Sequence, residues 1–290
     1  MHRKRNPTSE RLSLFSRSRE ACPAALRRQP PHSVKSMRHE EYRAMFNLED
    51  HLWWYDGMRA VTASILDSHV TPGPDIAVLD VGCGTGYSLK WLREKLGTES
   101  GFGIDITPDA SVFWSKTGLT NGAIATAHQV PLRSNLFDLV TCFDVIYQLT
   151  DKDATAAIDE IRRVLKPGGF LFIREPAYEW LRAGHDVAVG ARHRYTRREL
   201  TRLLSMQGFK VRRATYANAL LFWAAVPHRL ISKWRGSTES DVKPVGWPLN
   251  AILAAILKIE ARLIRHLSFP FGLSVVAFAE KDPQITQRHR

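Results

Sequence analysis

The sequence predicts an α/β fold built around a largely parallel sheet. First, an apolar run at 77–81 is followed by three glycines at alternate positions and then by a helical pattern from 87. Second, the apolar segment 101–106 contains an acid near its end, as nucleotide-binding sheets require. Third, an amphipathic pattern over 151–165 precedes an apolar segment at 170–176 that is typical of a buried parallel strand. Strands alternating with helices indicate parallel βαβ units.

The glycine-rich turn predicts an anion-binding or nucleotide-binding loop. Glycine reaches positive φ and leaves the backbone open to a ligand, and the next helix begins with unpaired N–H groups. The spacing D-x-G-x-G-x-G differs from the dinucleotide fingerprint G-x-G-x-x-G, and no G-K-[ST] follows. It resembles motif I of the class I S-adenosylmethionine (SAM) methyltransferases. That resemblance implies that five residues hold the amino-acid end of SAM: Asp80, Gly82, Cys83, Gly84 and Gly86. An ordinary β–α turn is the alternative.

The second strand predicts the ribose and adenine contacts. Asp105 follows Gly86 by 19 residues, close to where nucleotide-binding folds place a carboxylate for ribose hydroxyls. Asp105 could instead cap the next helix, but Thr107 with Pro108 can start that helix without it. Family members usually carry Asp near 126, beside the adenine, whereas this chain has Thr126. The other predicted contacts in this region are Ile106, Ala127, His128 and Phe143.

The middle of the chain carries a second match to the same family. The helix over 151–165, the Lys-Pro-Gly-Gly sequence at 166–169 and the strand at 170–176 resemble its post-motif III region. We expect glycine to cap the helix just past its end. Two later strands, near 208–216 and 273–280, fit the closing pair. The resemblance covers roughly 40–280 and implies a Rossmann-like seven-stranded mixed sheet, order 3-2-1-4-5-7-6, with helices on both faces.

Residues 37–74 are predicted to form an N-terminal helical and aromatic cap. Helical spacing is interrupted by the aromatic run Trp53-Trp54-Tyr55 and resumes after it. The arm resembles that of a type 11 methyltransferase subgroup, in which it covers the SAM pocket. Trp54 would then exclude water and Arg59 would be available for a carboxylate. Simple packing of the arm onto the sheet is the alternative.

The loop at 177–195 follows a strand end, where ligands bind in parallel sheets. Histidine exchanges a proton near neutral pH, so the predicted catalytic candidates here are His185 and His193, with Asp186 beside the first. Tyr147 is the fourth candidate, because Tyr147-Gln148 replaces the Glu-His pair frequent in relatives. A capping box at Thr196 fixes the far end of the loop. The alternative for each His and Arg of this loop is that it is an ordinary solvated loop residue.

Residues 218–270 are predicted to be an apolar helical insertion. Two apolar stretches, 219–234 and 249–267, form a hairpin in which Lys and Arg side chains accompany the second stretch. One alternative is a hairpin packed on the domain or at a dimer interface. The other is a basic, Trp-flanked hairpin in a membrane interface or along a channel for a lipid-like substrate. The stretches are too interrupted to span a bilayer.

The termini and composition set the remaining expectations. Residues 1–36 contain nine Lys and Arg against two Glu, and we expect a disordered basic tail, with translation from Met37 as the simplest explanation. A transit peptide or a basic arm for RNA or anionic lipid is the alternative.

We expect 75–282 to be the methyltransferase domain and 283–290 a tail. Three dispersed cysteines and no His/Cys cluster indicate a cytoplasmic protein without a metal, peripheral at the membrane if the insertion binds lipid.

The predicted reaction is in-line methyl transfer from SAM, the only cofactor expected. The chain lacks the Asn/Asp-Pro-Pro-Tyr/Phe motif associated with methylation of planar amino groups. We therefore expect an oxygen acceptor on an amphipathic or lipid-linked small molecule, such as a glycan intermediate or secondary metabolite. Carbon methylation of a prenylated quinone or polyketide-like ring is the nearest alternative. From another class, an RNA-binding methyltransferase or a non-catalytic SAM-binding module stays open, although the net charge of +12 is weak evidence for nucleic acid.

Overall fold

A computed structural model describes residues 39–183, 186, 189–227 and 245–282 of the chain. The predicted tails at 1–36 and 283–290 lie outside the described residues, as does His185. Part of the predicted insertion, 228–244, lies outside them too.

The described residues form a seven-stranded sheet whose order, β3-β2-β1-β4-β5-β7-β6, confirms the predicted one. The first five of these pair in parallel, and β7 runs antiparallel to both β5 and β6. Because of this arrangement, six of the strands end at the same edge of the sheet. The strands are β1 (Val78–Val81), β2 (Gly101–Asp105), β3 (Gly122–Ile124), β4 (Phe137–Phe143), β5 (Leu165–Pro176), β6 (Phe209–Ala217) and β7 (Ser274–Lys281).

Helices cover both faces of the sheet. One apolar core packs α6 and α7 against it through residues such as Ile158 and Leu204, and the other packs α2, α3 and α8 through residues such as Leu89 and Ile264. Burial of these apolar faces on the two sides of the sheet is the main stabilising contribution to such a fold. The helices are α1 (His39–Leu48), α2 (Trp53–Leu66), α3 (Tyr87–Leu96), α4 (Pro108–Ser111), α5 (Trp114–Thr117), α6 (Asp151–Val164), α7 (Arg197–Met206) and α8 (Trp247–Ile264).

Two predicted helix caps are present. Thr107 starts α4 by accepting a hydrogen bond from the Asp109 N–H, and Thr196 and Glu199 form the reciprocal capping box of α7. These caps fix the positions at which the chain leaves the ligand-binding edge of the sheet.

The predicted glycine cap after α6 is wrong. This helix ends at Val164, and Leu165 is already extended, so the Lys-Pro-Gly-Gly sequence belongs to β5. Gly168 has a φ of +74°, and the pairing of β4 with β5 changes register beside it, between Phe137 and Leu139. The glycines therefore form an irregular start to a strand, where an extra residue must be accommodated in the ladder.

None of the helices within the described part of the chain is long and apolar enough to cross a membrane. The predicted insertion contributes α8, which packs against α2 of the N-terminal arm. One half of the expected hairpin is thus an 18-residue helix.

Candidate functional site

A cavity of about 730 Å³ opens at the carboxyl ends of the parallel strands, under the N-terminal arm. Its volume is within the range of small-molecule and cofactor pockets. The motif I turn, the end of β2 and the arm line one part of it, and the loop after β5 and the end of β6 line another. The cavity therefore joins the predicted cofactor residues to a second region that has room for another ligand.

The glycine turn has the backbone conformation that its sequence predicts. Gly82, Gly84 and Gly86 all have positive φ, and each adopts it where a side chain would also collide with a neighbour. A Cβ on Gly82 would lie 2.3 Å from Val145 Cγ2, and one on Gly84 would lie 2.7 Å from Met45 Cε. No side chain caps the start of α3 after this turn. The N–H groups of Gly82 and Cys83 donate to the carbonyl oxygen of Ile104, and that of Gly86 donates to Cys83 O. The turn therefore leaves room for a ligand against its backbone, beside the positive end of the α3 helix dipole.

Asp105 closes the turn from the side of β2. Its buried carboxylate accepts hydrogen bonds from the N–H of Gly84 (2.9 Å), the hydroxyl of Tyr42 (3.0 Å) and the N–H of Thr107 (3.2 Å). Burial raises its pKa, and these hydrogen bonds oppose that rise. One carboxylate oxygen is therefore matched here with a hydroxyl donor from the arm, which is the type of partner that a ribose offers.

Asp80 lies buried at the end of β1 and also lines the cavity. Burial raises its pKa to about 7, although its Oδ1 accepts a hydrogen bond from Thr141 Oγ1 at 2.6 Å. The nearby Asp105 contributes to the rise, and Arg174 opposes it. A buried carboxyl in this state is stabilised as an anion by any cation that enters the cavity.

The arm contributes a carboxyl that the sequence did not suggest. Glu49 is buried, its side chain accepts a hydrogen bond from the hydroxyl of Thr85 in the glycine turn, and burial raises its pKa to about 7. Arg59, which was expected to be available for a carboxylate, donates to the backbone carbonyl oxygens of Glu49 and Asp50 and lies 5.2 Å from the Tyr87 ring centroid. These contacts fasten the arm over motif I.

Four further predicted cofactor contacts line the cavity, namely Ile106, Ala127, His128 and Phe143. Thr126 lines it in place of the acid usual in relatives, and the Nδ1 atom of the neighbouring His128 is buried without a hydrogen-bond partner. Apolar side chains and a histidine ring after β3 have a composition that suits a heteroaromatic base.

The aromatic run of the arm faces a cation. Arg174 lies 4.9 Å from the ring centroids of both Trp54 and Phe143, and its Nε donates to Asp144 at 3.0 Å. Trp54 therefore lines the cavity, held by a stacked guanidinium group. Arg174 and Asp144 were not predicted as site residues, because a charged residue in an otherwise apolar strand gives no indication of its partner.

Glu175 builds the turn that carries Tyr147. Its fully buried carboxylate accepts hydrogen bonds from the N–H groups of Val145 (3.3 Å), Ile146 (3.1 Å) and Tyr147 (3.1 Å). Burial raises the pKa of Tyr147 above its ordinary value, which keeps the hydroxyl neutral. Tyr147 lines the cavity as a hydrogen-bonding group, and at neutral pH it is a donor rather than a base.

The other catalytic candidates are placed less favourably. Asp186 lines the cavity, but its buried carboxylate forms an ion pair with Arg194 and accepts from the N–H of Ala183 at 2.8 Å. These contacts give it a structural role in holding the loop, and its predicted role in proton transfer has no support from them. His193 is absent from the cavity lining and lies against Tyr195, with Nε2 3.9 Å from Glu199. The proposed base at His185 stays a prediction.

Asn218 is a further cavity residue that the sequence did not suggest. It is buried at the end of β6 with a φ of +57°, and its Nδ2 contacts Met58 Sδ at 3.6 Å. Its Oδ1 atom is buried and has no hydrogen-bond partner. A buried, unpaired amide oxygen costs free energy.

No cluster of His, Cys, Asp or Glu that could hold a metal ion occurs among the described side chains. The predicted cofactor residues other than Gly86, by contrast, all line one cavity. The carboxylate paired with a hydroxyl, the glycine turn without side chains and the apolar side chains near His128 fit the ribose, the charged amino-acid end and the adenine of SAM.

Residues 79–173 match the family model of a methyltransferase domain. The ubiquinone/menaquinone biosynthesis C-methyltransferase UbiE of Cupriavidus metallidurans is 31% identical over 123 residues, which cover 40% of this chain and 49% of that protein. A probable S-adenosylmethionine-dependent methyltransferase of Mycolicibacterium smegmatis is 28% identical over 173 residues, covering 58% of this chain and 64% of that protein. The chain thus spans about half to two thirds of the length of these relatives.

The fold also resembles that of solved structures. The methyltransferase solved in complex with the Trm112 activator of Haloferax volcanii has a TM-score of 0.55 at 19% identity, covering 84% of this chain and 94% of that one. The sheet and its helices therefore define a class I, SAM-dependent methyltransferase fold. Residues 79–173 are thus similar to the methyltransferase domains that the family model describes.

Proposed function

We propose that this chain transfers a methyl group from SAM to a nucleophile on an amphipathic small molecule. The observation that carries the proposal is one cavity, shared by the motif I residues and by a polar region that the cofactor contacts leave unused. SAM supplies an activated methyl group on a sulfonium, so the protein has chiefly to bind, orient and exclude water.

The chain's own residues divide this work along the cavity. Asp105 accepts from hydroxyl groups, the turn at Gly82 and Gly84 leaves room for the amino-acid end, and Asp80 offers a negative charge to a cation. Trp54 and the stacked Arg174 form an aromatic wall that excludes water. The hydrogen bond between Glu49 and Thr85 holds the arm closed over these groups.

The unused region defines what the acceptor must offer. The amide side chain of Asn218 lines this region, and the neutral hydroxyl of Tyr147 can donate to an oxygen. Apolar groups between them, including Met58 and Val189, suit a ring or an alkyl chain. We therefore favour an oxygen acceptor on an amphipathic or lipid-linked molecule that carries at least one hydroxyl group.

A transfer assay tests this proposal directly. The full chain is incubated with SAM labelled in its methyl group and with separate lipid, glycan and aromatic extracts of cells, and the label is followed into products. We expect incorporation into an organic-extractable product, and loss of incorporation in Asp105→Asn. Label transfer to RNA alone, or SAM binding without transfer to any fraction, would contradict the proposal.

Asn218 provides a sharper test of the acceptor region. Asn218→Leu keeps the approximate volume and removes the amide, so we expect KM for the acceptor to rise about tenfold or more while SAM affinity is unchanged. Ala225→Ser, which changes another cavity residue, is the matched control and should have a small effect. Equal loss of SAM affinity in Asn218→Leu would show that the residue does not belong to the acceptor region.

Carbon methylation of a prenylated quinone is the second candidate. The similarity to ubiquinone/menaquinone C-methyltransferases favours this candidate. The matched segment covers 40% of this chain for one of these relatives and 43% for another. Such a ring would fit the same apolar and hydroxyl-binding region. A carbon-13 methyl label from SAM separates the two candidates, because methyl carbons bonded to oxygen and to an aromatic ring resonate in different spectral regions.

A further inference from the structure

Helix α8 exposes an unusual number of apolar side chains. Leu249, Ile252, Ile259 and Leu263 recur at intervals of three, four or seven residues, which places them along one side of the helix, and Leu267 follows shortly after its end. We call these five residues the α8 stripe. Ile252 is 57% exposed, Leu267 is 55% exposed, and Trp247 at the start of the helix is 82% exposed. Such contiguous exposed apolar surface marks an interaction site.

The opposite side of α8 is tightly attached to the arm, so the stripe faces outward on a fixed helix. Leu257 packs so closely on Gly57 that a Cβ there would lie 2.2 Å from Leu257 Cδ1. Asn250 accepts from the N–H of Trp53 at 2.9 Å and donates to the carbonyl of His51 at 3.0 Å. Because Trp53 also lines the cavity, α8 is connected directly to the roof of the site.

The charges on α8 select the kind of surface that it fits. Arg262 is exposed on its last turn, and Arg265 and His266 are exposed directly after it. Lys258 is exposed next to Ile259 and is paired with Asp56 of the arm at 2.6 Å. The one acid of α8, Glu260, is fully buried and accepts from the N–H of Leu220 at 2.9 Å. The outward face of the helix is therefore apolar and basic without an exposed acid.

That combination matches the interface of an anionic bilayer. An interfacial helix buries its apolar side among the acyl chains near the headgroups, while Lys and Arg attract anionic lipids. A second copy of this chain docked symmetrically through the stripe would instead bring like cations of the two copies close together. Exposed Leu220 and Trp223, linked to α8 through Glu260, extend the apolar surface.

We propose that the α8 stripe binds the surface of an anionic lipid bilayer, with α8 lying in the plane of the interface. The arm and the cavity beneath it are thereby held at the membrane, where an amphipathic acceptor partitions. This last step rests on the proposed methyltransferase function, whereas the binding of lipid does not.

A flotation assay with the full chain tests the surface. Vesicles contain either phosphatidylcholine alone or equal parts of phosphatidylcholine and phosphatidylglycerol. We expect the wild type to float with the anionic vesicles and about tenfold less with the neutral ones. Ile252→Glu with Ile259→Glu should reduce binding to anionic vesicles tenfold or more, since both side chains are exposed and their replacement adds charge to the stripe. Met206→Glu, at a 70% exposed apolar residue of α7, is the matched control and should bind as the wild type does.

Two control measurements and three possible outcomes complete the test. Circular dichroism melting and SAM binding in the absence of vesicles must be unchanged in the stripe variant, which shows that the fold and cofactor site are intact. Unchanged vesicle binding by that variant would assign binding to another part of the chain, such as 1–36, and would overturn the proposal. Sedimentation that shows a wild-type dimer lost in the variant, without vesicle binding by either, would assign the stripe to a second copy. Vesicle binding without methyl transfer would refute the proposed function alone.

Discussion

Replacing Asp80 by asparagine should make the SAM-free protein more stable at alkaline pH. The buried carboxyl has its pKa raised from an ordinary value of 3.8 to about 7. The folded state therefore binds a proton more tightly than the unfolded chain, and the free energy of unfolding falls as pH rises from about 4 to 7. The asparagine side chain would keep an acceptor for Thr141 Oγ1, which donates at 2.6 Å, and would remove the charge.

The size of the effect follows from the pKa. One pKa unit corresponds to about 1.4 kcal/mol. The raised pKa of Asp80 therefore lowers the free energy of unfolding by about 4 kcal/mol at pH 8, where the folded carboxyl is ionised, and by about 2 kcal/mol at pH 5, where it is protonated and the unfolded one is ionised. We expect the gain from Asp80→Asn to approach these values and to be about 2 kcal/mol larger at pH 8 than at pH 5. Urea unfolding at the two pH values measures the difference.

A matched substitution separates this effect from a general loss of acid. Asp67→Asn removes a partly exposed carboxyl paired with Lys95, and should change stability by less than about 1 kcal/mol at both pH values. Asp80→Asn should also weaken SAM binding at least tenfold, measured calorimetrically, because the cofactor loses a carboxylate partner. An Asp80→Asn stability gain that does not grow with pH would refute the reasoning, since the buried charge could not then be its cause.

Four further predictions concern the same cavity. Gly84→Ala should weaken SAM binding tenfold or more, because the added Cβ would collide with Met45 inside the closed site. Gly97→Ala is the control, because Gly97 also has a positive φ but no atom lies within 4 Å of the added Cβ. This control should lower stability by about 1 kcal/mol and leave SAM binding, measured calorimetrically, unchanged. Tyr42→Phe removes the hydroxyl donor to Asp105 and should reduce stability in urea by about 1 kcal/mol; no loss would show that this hydrogen bond contributes nothing. Glu175→Gln places an amide N–H₂ against backbone N–H donors, so it should lower the free energy of unfolding by about 2 kcal/mol. It should also lower kcat more than it changes SAM affinity. Equal effects on kcat and on SAM affinity would contradict a role of Glu175 in positioning Tyr147. The sulfonium cofactor should bind more tightly than its neutral thioether product at pH 8, and competition calorimetry should find a smaller ratio at pH 6; a constant ratio would mean that the cavity carboxyls do not sense the charge.

The sheet was predictable from sequence because its signals are local. A strand ending beside an acid, a turn with glycines at required positive φ and an amphipathic helix each occupy a few consecutive residues, and their order matched a known family. The failure at 166–169 is instructive, since Gly168 has the positive φ of a helix cap but lies inside the irregular start of β5. The predicted positive φ of Gly168 was correct, but only the pairing of its segment with β4 decides whether the residue belongs to a helix end or to a strand.

The site was predictable only where its residues belong to such local patterns. Asp80 and Asp105 were found from their spacing to the glycines. Tyr42 contacts Asp105 across 63 residues, Glu49 contacts Thr85 across 36, and Asn218 reaches Met58 across 160. A single sequence contains no signal for pairs so far apart, because they depend on how the arm and β6 pack at the sheet edge.

The carboxyls that the arm encloses explain why this cavity suits a cation. Asp80, Asp105 and Glu49 all have raised pKa values, caused chiefly by burial, so the closed site holds acids whose anions would be more stable in water. Apolar side chains in their place would not carry this cost. A site that keeps three acids under an aromatic roof is stabilised when a positively charged ligand enters, because the ligand's charge offsets the cost of their burial. The same cost that lowers the stability of the free protein thus becomes selectivity for a cationic cofactor.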